Sequence, residues 1–432
     1  MSAERALLEQ EANIQGARSA TVRAAVVPGL LHDHDFVAVL VGQGVSAMGS
    51  AVTMVAMPLL VLVMTGSGLL MGVVGILETA PDLLFGLPAG AYADRWDRRR
   101  VMIVADGGRA LLTALIPLAV IAGLPVVPVI LVVVAPINVL RVLFSAAQSA
   151  SIPALAGRER LNSGAGYFEA VWAFGYVLGP AVAGLLIVVV GPGPTIAMDA
   201  LSFAFSAGSV LLVRRSLAPP HSDGPRLQII HEVREGLRYV LGHRTLRISI
   251  AFYTVLSLLM APFVPAFTYF LIRDRGMDAG GLGLMVSVFS VGMLIGALAA
   301  TRIKDQRLGL RMVAAALVVG IGLALGRLMP STLMLGLLGL AVGGSYSLVE
   351  VSYVTVRLGA SPEALLGRVS TVARTASIGV QPIGLLIGGL LIDRVGGGAT
   401  LALIGFATVA MALAFGATRS MRSARADGPM PE

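Results

Sequence analysis

The chain contains a series of apolar runs between residues 36 and 417, separated by short polar breaks. Each run reaches about 18 residues or more, which is long enough for a helix to cross a hydrocarbon core of about 30 Å. Hydrocarbon offers no partner to backbone polar groups, and the runs are continuously apolar, so helices are expected to span it and not strands with a polar face. Only 13% of the residues are charged, too few for a water-soluble surface. The sequence therefore predicts an all-α integral membrane protein.

The predicted spans form two groups of six. We place them at residues 36–65, 68–92, 101–123, 126–150, 163–190, 194–213, 246–272, 279–300, 310–328, 332–355, 369–393 and 397–417. The longest interruption, residues 214–245, follows the sixth span, so we expect helical bundles at 36–213 and 246–417 with tails at 1–35 and 418–432. Within the interruption, apolar and charged residues recur at helical spacing, which predicts an amphipathic linker helix on the membrane surface.

The placement of basic residues indicates the orientation. Most of the 32 lysines and arginines lie in the tails and in the loops on one side, whereas the opposite loops hold Arg273, Arg275, Arg327 and Arg394. The positive-inside rule therefore predicts that both termini are cytoplasmic. The N-terminal tail has no apolar core of a signal peptide. The single Lys304 among arginines is typical of a high-GC bacterium, so we expect a multi-pass protein of a bacterial cytoplasmic membrane.

Several classes of protein are excluded by the residue types available. There is no cysteine and the five histidines lie outside the predicted spans, which argues against an intramembrane enzyme or metal site. Lys304 lacks the glycine context of a phosphate-binding loop, so this chain alone is not an ATP-driven pump. The basic residues sit in alternate loops and form no recognition surface for nucleic acid. We expect no enzymatic activity, cofactor or metal.

The loop after the second span has a distinctive spacing of glycine, aspartate and arginine. It places Gly90 four residues before Asp94 and Arg95, and it continues through Asp97 to Arg98 and Arg99. A carboxylate at a helix end can accept hydrogen bonds from a neighbouring helix N-terminus and pair with guanidinium groups. The spacing therefore predicts a gate on the inner face formed by Gly90, Asp94, Arg95, Arg98 and Arg99. The alternative is an ordinary positive-inside cluster.

Small residues recur along the fifth span. Its pattern consists of Gly166, Gly175, Gly179, Pro180, Ala183 and Gly184. Gly175, Gly179 and Ala183 are spaced four apart, so they form a smooth strip on which another helix can lie closely. The alternative is small-residue packing of the kind common in membrane helices. The eleventh span carries a degraded copy of the pattern from Gly379 to Gly389, which indicates an internal duplication.

These segments resemble the major facilitator superfamily. The loop is similar to its G-x-x-x-D-R-x-G-R-R signature, with Asp97 in place of the glycine. The fifth span is similar to its antiporter signature, with Ala183 replacing one glycine. Residues 153–162 and 362–369 are similar to the macrolide-efflux and siderophore-export branch. The resemblance implies two pseudo-symmetric six-helix bundles around a cavity near the membrane midplane, and it implies export.

Ionisable residues inside spans are costly, so each is a functional candidate. The candidates for proton coupling are Glu78, Asp82, Glu169 and Glu350. Glu78 and Asp82 lie four apart on one helical face, although Glu78 could instead face a water-filled vestibule. Ion pairs of Arg141 with Glu169 and of Glu350 with Arg374 are expected, because the partners lie on consecutive spans. Asp106 can pair locally with Arg109, and Asp199 receives no role.

A polar stripe on the first span predicts one wall of the cavity. Gln43, Ser46, Ser50 and Thr53 recur at intervals of three to four residues in an otherwise apolar helix. Further candidates for substrate contact are Asn138, Arg141, Tyr253, Tyr346, Arg374 and Gln381. Ser249, Ser257, Met54, Met57, Trp172 and Tyr353 could add to the lining. For each of these residues, simple packing is the alternative. Many proton-coupled drug exporters of the superfamily that this chain resembles carry a carboxylate on the first span, and this chain has none there, so the resemblance implies coupling on span two or elsewhere.

The function favoured by these patterns is secondary active export. We expect a monomer that exports a small amphipathic molecule, such as a drug, a macrolide or a siderophore-like compound, by proton antiport with alternating access. Its partners would be the substrate, protons and membrane lipid. Proton-coupled uptake or lipid transport on the same fold remains an alternative, because a fold does not fix direction. A non-transporting membrane sensor is the alternative from a different class.

Overall fold

The computed structural model describes residues 29–93, 95–218, 229–303 and 307–424. Within these ranges it contains twelve helices that are long and apolar enough to cross a membrane, and no strand. The prediction of an all-α protein with twelve spans is therefore confirmed. Asp94, most of both predicted tails and part of the predicted linker lie outside the described residues.

The twelve membrane helices are numbered here in chain order. They are α1 His34–Thr65, α2 Gly68–Ala93, α3 Arg98–Ile121, α4 Val126–Ala156, α5 Leu161–Val190, α6 Pro192–Leu211, α7 Arg244–Asp274, α8 Ala279–Arg302, α9 Leu308–Gly326, α10 Thr332–Gly359, α11 Leu366–Val395 and α12 Gly397–Gly416. Successive helices run in opposite directions. The side where α1 begins and α12 ends is called the terminus side, and the opposite side is called the far side.

The pattern of helix packing in the first half is repeated in the second. In the first half, α1 packs on α5 and α6, α3 packs on α4 and α6, and α2 packs on α4. In the second half, α7 packs on α11 and α12, α9 on α10 and α12, and α8 on α10. The turns before α6 and α12 also match, because Gly191 and Gly396 both adopt φ 83°, which favours glycine. The chain thus forms two related six-helix bundles.

The bundles meet along two seams, α2 with α11 and α5 with α8. Near the far side, a Cβ atom at Gly72 would lie 2.5 Å from the Leu385 carbonyl oxygen, and one at Gly283 would lie 2.4 Å from the Pro180 carbonyl oxygen. Only glycine permits this separation. Asp393, at the far end of α11, accepts hydrogen bonds from Ser67 Oγ (3.1 Å) and from the backbone nitrogen of Leu69 (3.0 Å) at the start of α2. The two bundles are therefore joined tightly on the far side.

Two helices of the second half are interrupted where they meet the interior. The α-helical hydrogen bonding of α7 breaks at residues 261–262, and that of α11 breaks at Val380, just before Gln381 and Pro382. Both interruptions coincide with proline, which lacks the backbone N–H that a continuous helix needs. Ala261 and Gln381 at these breaks line the interior cavity described below.

A short helix, Ile229–Gly242, lies within the predicted linker. Its Glu235 accepts a hydrogen bond of 2.5 Å from Arg368, near the start of α11, and its Tyr239 hydroxyl donates to the Ala360 carbonyl oxygen at 3.4 Å. These contacts attach the linker helix to the second bundle on the terminus side.

The small-residue strip of α5 packs against α1. A Cβ atom on Gly175 would lie 3.0 Å from the Ala47 carbonyl carbon, and one on Gly179 would lie 2.4 Å from the Ala51 Cβ atom. Further along, Gly184 faces α8 across the seam between the bundles, with the Ala279 carbonyl oxygen 2.9 Å from a Cβ atom. Gly166, by contrast, has open space at that position. The glycines of this motif therefore differ in what they do: three hold neighbouring helices close, and the first does not.

We predict that Gly179→Val destabilises the protein and Gly166→Val does not. A larger side chain at Gly179 must push α1 away, and overpacking of this kind typically costs about 1–3 kcal/mol. The thermal unfolding midpoints of both variants, purified in detergent, measure the difference. The two variants share the propensity cost of valine in a helix, so equal midpoints would show that the α1–α5 contact contributes nothing.

Candidate functional site

Three adjoining chambers lie between the bundles. The N-bundle chamber has a volume of about 360 Å³, the aromatic chamber about 640 Å³ and the C-bundle chamber about 610 Å³. Glu350 lines both the aromatic and the C-bundle chambers, Gln381 lines the C-bundle and N-bundle chambers, and Tyr176 lines the N-bundle and aromatic chambers. These shared walls make the chambers parts of one central cavity.

The N-bundle chamber collects the buried charges of the first bundle. Its lining includes Glu78 and Asp82 from α2, Arg109 from α3, Arg141 from α4 and Asp199 from α6. Charged groups at membrane depth are stable only where they pair with one another or face water. Their concentration around one chamber therefore identifies this region as the polar centre of the molecule.

Asp82 is shared between the two bundles. One carboxylate oxygen accepts a hydrogen bond from Arg141 of the same bundle, and the other lies 3.3 Å from a guanidinium nitrogen of Arg374 on α11 of the opposite bundle. Arg141 is further oriented by Asn138, whose side-chain oxygen accepts from its Nε at 2.9 Å. The Asp82 side chain is 13% exposed, whereas that of Arg374 is 64% exposed. A single carboxylate thus links the bundles through two guanidinium groups.

This arrangement corrects the ion pairs expected from the sequence. Arg141 does not pair with Glu169, and Arg374 does not pair with Glu350, because both arginines bind Asp82. The reason is the packing of α2, which lies against α4 on one side and α11 on the other. The order of the spans along the chain therefore did not predict which charged side chains pair.

A second group of charged residues, from α3 and α6, lies in and behind the wall of the same chamber. Arg109 and Asp106 form the local pair that the sequence suggested, at 2.9 Å, and the Arg109 guanidinium carbon lies 3.7 Å from the centre of the Phe203 ring. Asp199 lies 3.5 Å from the Ser50 hydroxyl and 3.3 Å from that of Ser202. No role was predicted for Asp199 from the sequence, although a charged residue inside a predicted span is in itself a candidate for function.

The aromatic chamber lies between α1 and α5 of one bundle and α7, α8 and α10 of the other. Trp172 stacks on Tyr176 with ring centres 5.4 Å apart, and Phe263 contacts Phe267 and Phe289 at 5.3 and 5.0 Å. Its ionisable lining residues are Glu169, Glu350 and Tyr176, and none of the described residues that line it is basic. The sequence indicated Trp172 but not the phenylalanines, because an apolar residue in an apolar span gives no signal of its orientation.

The C-bundle chamber is lined by tyrosines and arginines. Tyr253 and Tyr353 stack with ring centres 4.1 Å apart, and Tyr346, Arg374 and Gln381 complete the predicted set in this wall. The chamber also contains Arg357, in the last turn of α10, which the sequence did not single out. It therefore reaches the terminus side.

Part of the predicted cavity wall lies elsewhere. Ser50 and Thr53 line the N-bundle chamber, but Gln43 and Ser46 are buried, and the Gln43 amide donates to Ser206 Oγ of α6 at 3.2 Å. Met57 belongs to the apolar core, and Ser249 is buried and donates to the Leu246 carbonyl oxygen. Polar side chains of a membrane helix can bond to a neighbouring helix as well as line a cavity, so polarity alone did not identify the cavity wall.

Two of the predicted inner-gate residues, Arg98 and Arg99, make contacts within the first bundle. Arg98 donates to the Ala150 carbonyl oxygen at 2.9 Å, and Arg99 donates to the carbonyl oxygen of Leu211, at the end of α6, at 2.8 Å. Arg95 is exposed, Gly90 belongs to the last turns of α2, and Asp94 lies outside the described residues. Asp97, which departs from the family signature, caps α3 by accepting from the Arg99 backbone nitrogen at 3.0 Å.

The sequence of this chain is similar to that of a known protein family and of several known proteins. Residues 39–377 match the family model of the Major Facilitator Superfamily. The multidrug efflux pump Tap of Mycolicibacterium fortuitum is 30% identical over 367 residues, which cover 81% of this chain and 87% of the relative. Macrolide efflux protein A of Streptococcus pyogenes is 27% identical over 375 residues, covering 84% and 90% respectively.

Two solved structures share the fold. The crystal structure of nucleoside transporter NupG superposes with a TM-score of 0.72 at 12% sequence identity, covering 89% of this chain and 98% of that one. A bacterial homologue of the human lysosomal transporter Spinster, inward-facing and unoccupied, gives a TM-score of 0.70 at 13% identity, covering 93% and 99%. At these identities the likeness concerns the architecture alone.

We predict that Arg141 is energetically coupled to Asp82 and not to Glu169. In a double-mutant cycle, contacting residues typically show coupling of about 0.5–3 kcal/mol, whereas non-contacting residues are additive. The changes in the free energy of unfolding caused by Arg141→Gln and by Asp82→Asn should not add up to the change measured for the double variant. The matched cycle with Glu169→Gln should be additive, and the reverse result would contradict the geometry.

Proposed function

Because the chain belongs to the Major Facilitator Superfamily, we propose that it is a secondary transporter that exports small amphipathic molecules in exchange for protons. Transport would follow from alternating access, in which the two bundles rock about the central cavity. The names of the efflux-pump relatives, and the small-residue strip of α5 with its resemblance to an antiporter signature, support export over uptake.

The position of Asp82 is the observation that carries the coupling proposal. As a carboxylate, it attracts both Arg141 and Arg374 and so ties α2 to α11 across the cavity. A proton on Asp82 removes the charge that attracts Arg374, which frees the second bundle to move. Proton binding and bundle movement are thereby connected through one side chain. Glu78 in the same chamber, and Glu169 and Glu350 in the aromatic chamber, are the further proposed carriers.

The aromatic chamber is the proposed site for the apolar part of the substrate. Its volume of about 640 Å³ falls within the range of sites for drug-sized molecules. Met54 and Met293 in its wall add flexible, polarizable surface, which suits substrates of varied shape.

The proposed orientation places the terminus side in the cytoplasm of a bacterium. The positive-inside distribution of arginine supports it. In that orientation the tight far-side seams close the cavity toward the exterior, and the C-bundle chamber is accessible from the cytoplasm. This is the state in which an exporter takes up its substrate. We propose that one chain, working as a monomer, is sufficient for transport.

We predict that inside-out bacterial vesicles containing the protein accumulate a fluorescent amphipathic dye when a proton gradient is imposed. A protonophore should abolish accumulation, because it dissipates the gradient. Asp82→Asn should lower the initial rate by about tenfold or more, which corresponds to about 1.4 kcal/mol. Asp278→Asn is the matched control, since asparagine also caps a helix and Asp278 caps α8 away from the cavity.

Proton-independent accumulation, or full activity of Asp82→Asn, would contradict proton coupling at Asp82. If several dyes and macrolides failed to accumulate while the protein was present at normal levels, the export proposal itself would fail.

A further inference from the structure

One face of α10 presents four polar side chains to the C-bundle chamber. Tyr346, Glu350, Tyr353 and Arg357 follow one another at intervals of four, three and four residues, and all four line this chamber. Such spacing places side chains on a single face of a helix. The face therefore displays one acidic and one basic group, seven residues apart, with a tyrosine between them.

Glu350 lies where the C-bundle and aromatic chambers join. In the part of the chain that the structure describes, no basic side chain forms an ion pair with it, since Arg374 is bound to Asp82. On its aromatic side, the chamber offers Glu169 and several aromatic rings, and no basic residue among those described. Carboxylates together with aromatic faces attract a cationic group.

Arg357 also lacks an acidic partner among the described residues. Its guanidinium carbon lies 5.4 Å from the centre of the Tyr353 ring, and its Nε has no hydrogen-bond partner. The Tyr353 hydroxyl, on a residue only 2% exposed, interacts with Arg357 and Ser377 but makes no hydrogen bond of good geometry. Leaving buried donors unsatisfied is costly, so an acceptor brought to this point by a ligand is stabilised. A guanidinium beside a buried hydroxyl suits an acid group.

We infer that the preferred substrates are zwitterionic amphipaths, with a basic nitrogen against Glu350 and an acid group against Arg357 and Tyr353. Seven residues along a helix span about 10 Å, which sets the approximate separation of the two groups. Apolar substituents on the basic nitrogen enter the aromatic chamber. This inference rests on the proposed export function and narrows its substrate class.

A matched series of probes tests the inference in inside-out vesicles driven by a proton gradient. The zwitterion is a fluorescent quinolone carboxylic acid with a piperazine amine at the opposite end of its ring system. Its ethyl ester retains only the cation, and its N-acetyl derivative retains only the anion. A permanently cationic dye reports export in the same vesicles, so that loss of export is distinguished from loss of zwitterion preference.

We predict that the zwitterion accumulates at least about fivefold faster than either derivative, equivalent to about 1 kcal/mol. Arg357→Gln should bring the ratio of zwitterion to ester toward one, and Arg357→Lys should restore part of it. Arg327→Gln, which removes an arginine in the far-side loop between α9 and α10, should leave the ratio unchanged. Glu350→Gln should slow the zwitterion and the ester more than the N-acetyl derivative, which has no cation to bind; equal slowing of all three would contradict a cation site at Glu350.

Two outcomes would overturn the inference. If the dye accumulates while the ester moves as fast as the zwitterion, export stands and zwitterion recognition is wrong. An unaltered ratio in Arg357→Gln, with normal protein levels, would also show that Arg357 does not receive an acid group. If neither the dye nor any probe accumulates, the proposed function fails first, and the inference fails with it.

Discussion

The hydrocarbon interior supplies neither hydrogen-bond partners nor water, and the rest of the structure follows from this constraint. Backbone groups must be satisfied within helices, so the chain crosses the membrane as twelve helices. Because lipid tails are as apolar as the helix surfaces, helix association brings no hydrophobic gain. The helices therefore associate where small residues permit close contact. Gly179 against Ala51 and Gly72 against Leu385 are such contacts. The bundles and the seams between them are built in the same way.

The same constraint explains where the charges are. A charged side chain that faced lipid would be costly, so the ionisable residues of α2, α3, α4 and α6 meet around a central chamber. Within it, Asp82 binds an arginine from each bundle. The seams resist separation by packing, whereas this link depends on a charge that a proton can remove. The proposed proton-coupled transport would need that combination of rigid bundles and a switchable connection between them.

The sequence was sufficient for the family, the number of spans and the presence of charged residues inside them, because hydropathy and motif spacing are local properties. Partners across helices were not predictable in the same way. Arg141 and Arg374 meet Asp82 instead of Glu169 and Glu350, since pairing depends on how α2 packs. Gln43 serves a contact with α6, although its spacing matched a cavity stripe. The phenylalanines of the aromatic chamber give no signal that separates lining from packing. Arg357 was not predicted, although it continues the helical spacing of Tyr346, Glu350 and Tyr353.

The most direct measurement is the distance between the bundles with and without the charge on Asp82. The chain has no cysteine, so spin labels attach only to cysteines that are introduced. One label pair, Leu124→Cys with Leu328→Cys, measures the distance between the bundles on the far side. A second pair, Leu212→Cys with Leu358→Cys, measures it on the terminus side. With Asp82 intact, pulsed electron resonance should show mainly a short far-side distance. In Asp82→Asn, the account predicts a longer far-side population and a shorter terminus-side one. Identical distance distributions in both proteins would contradict it.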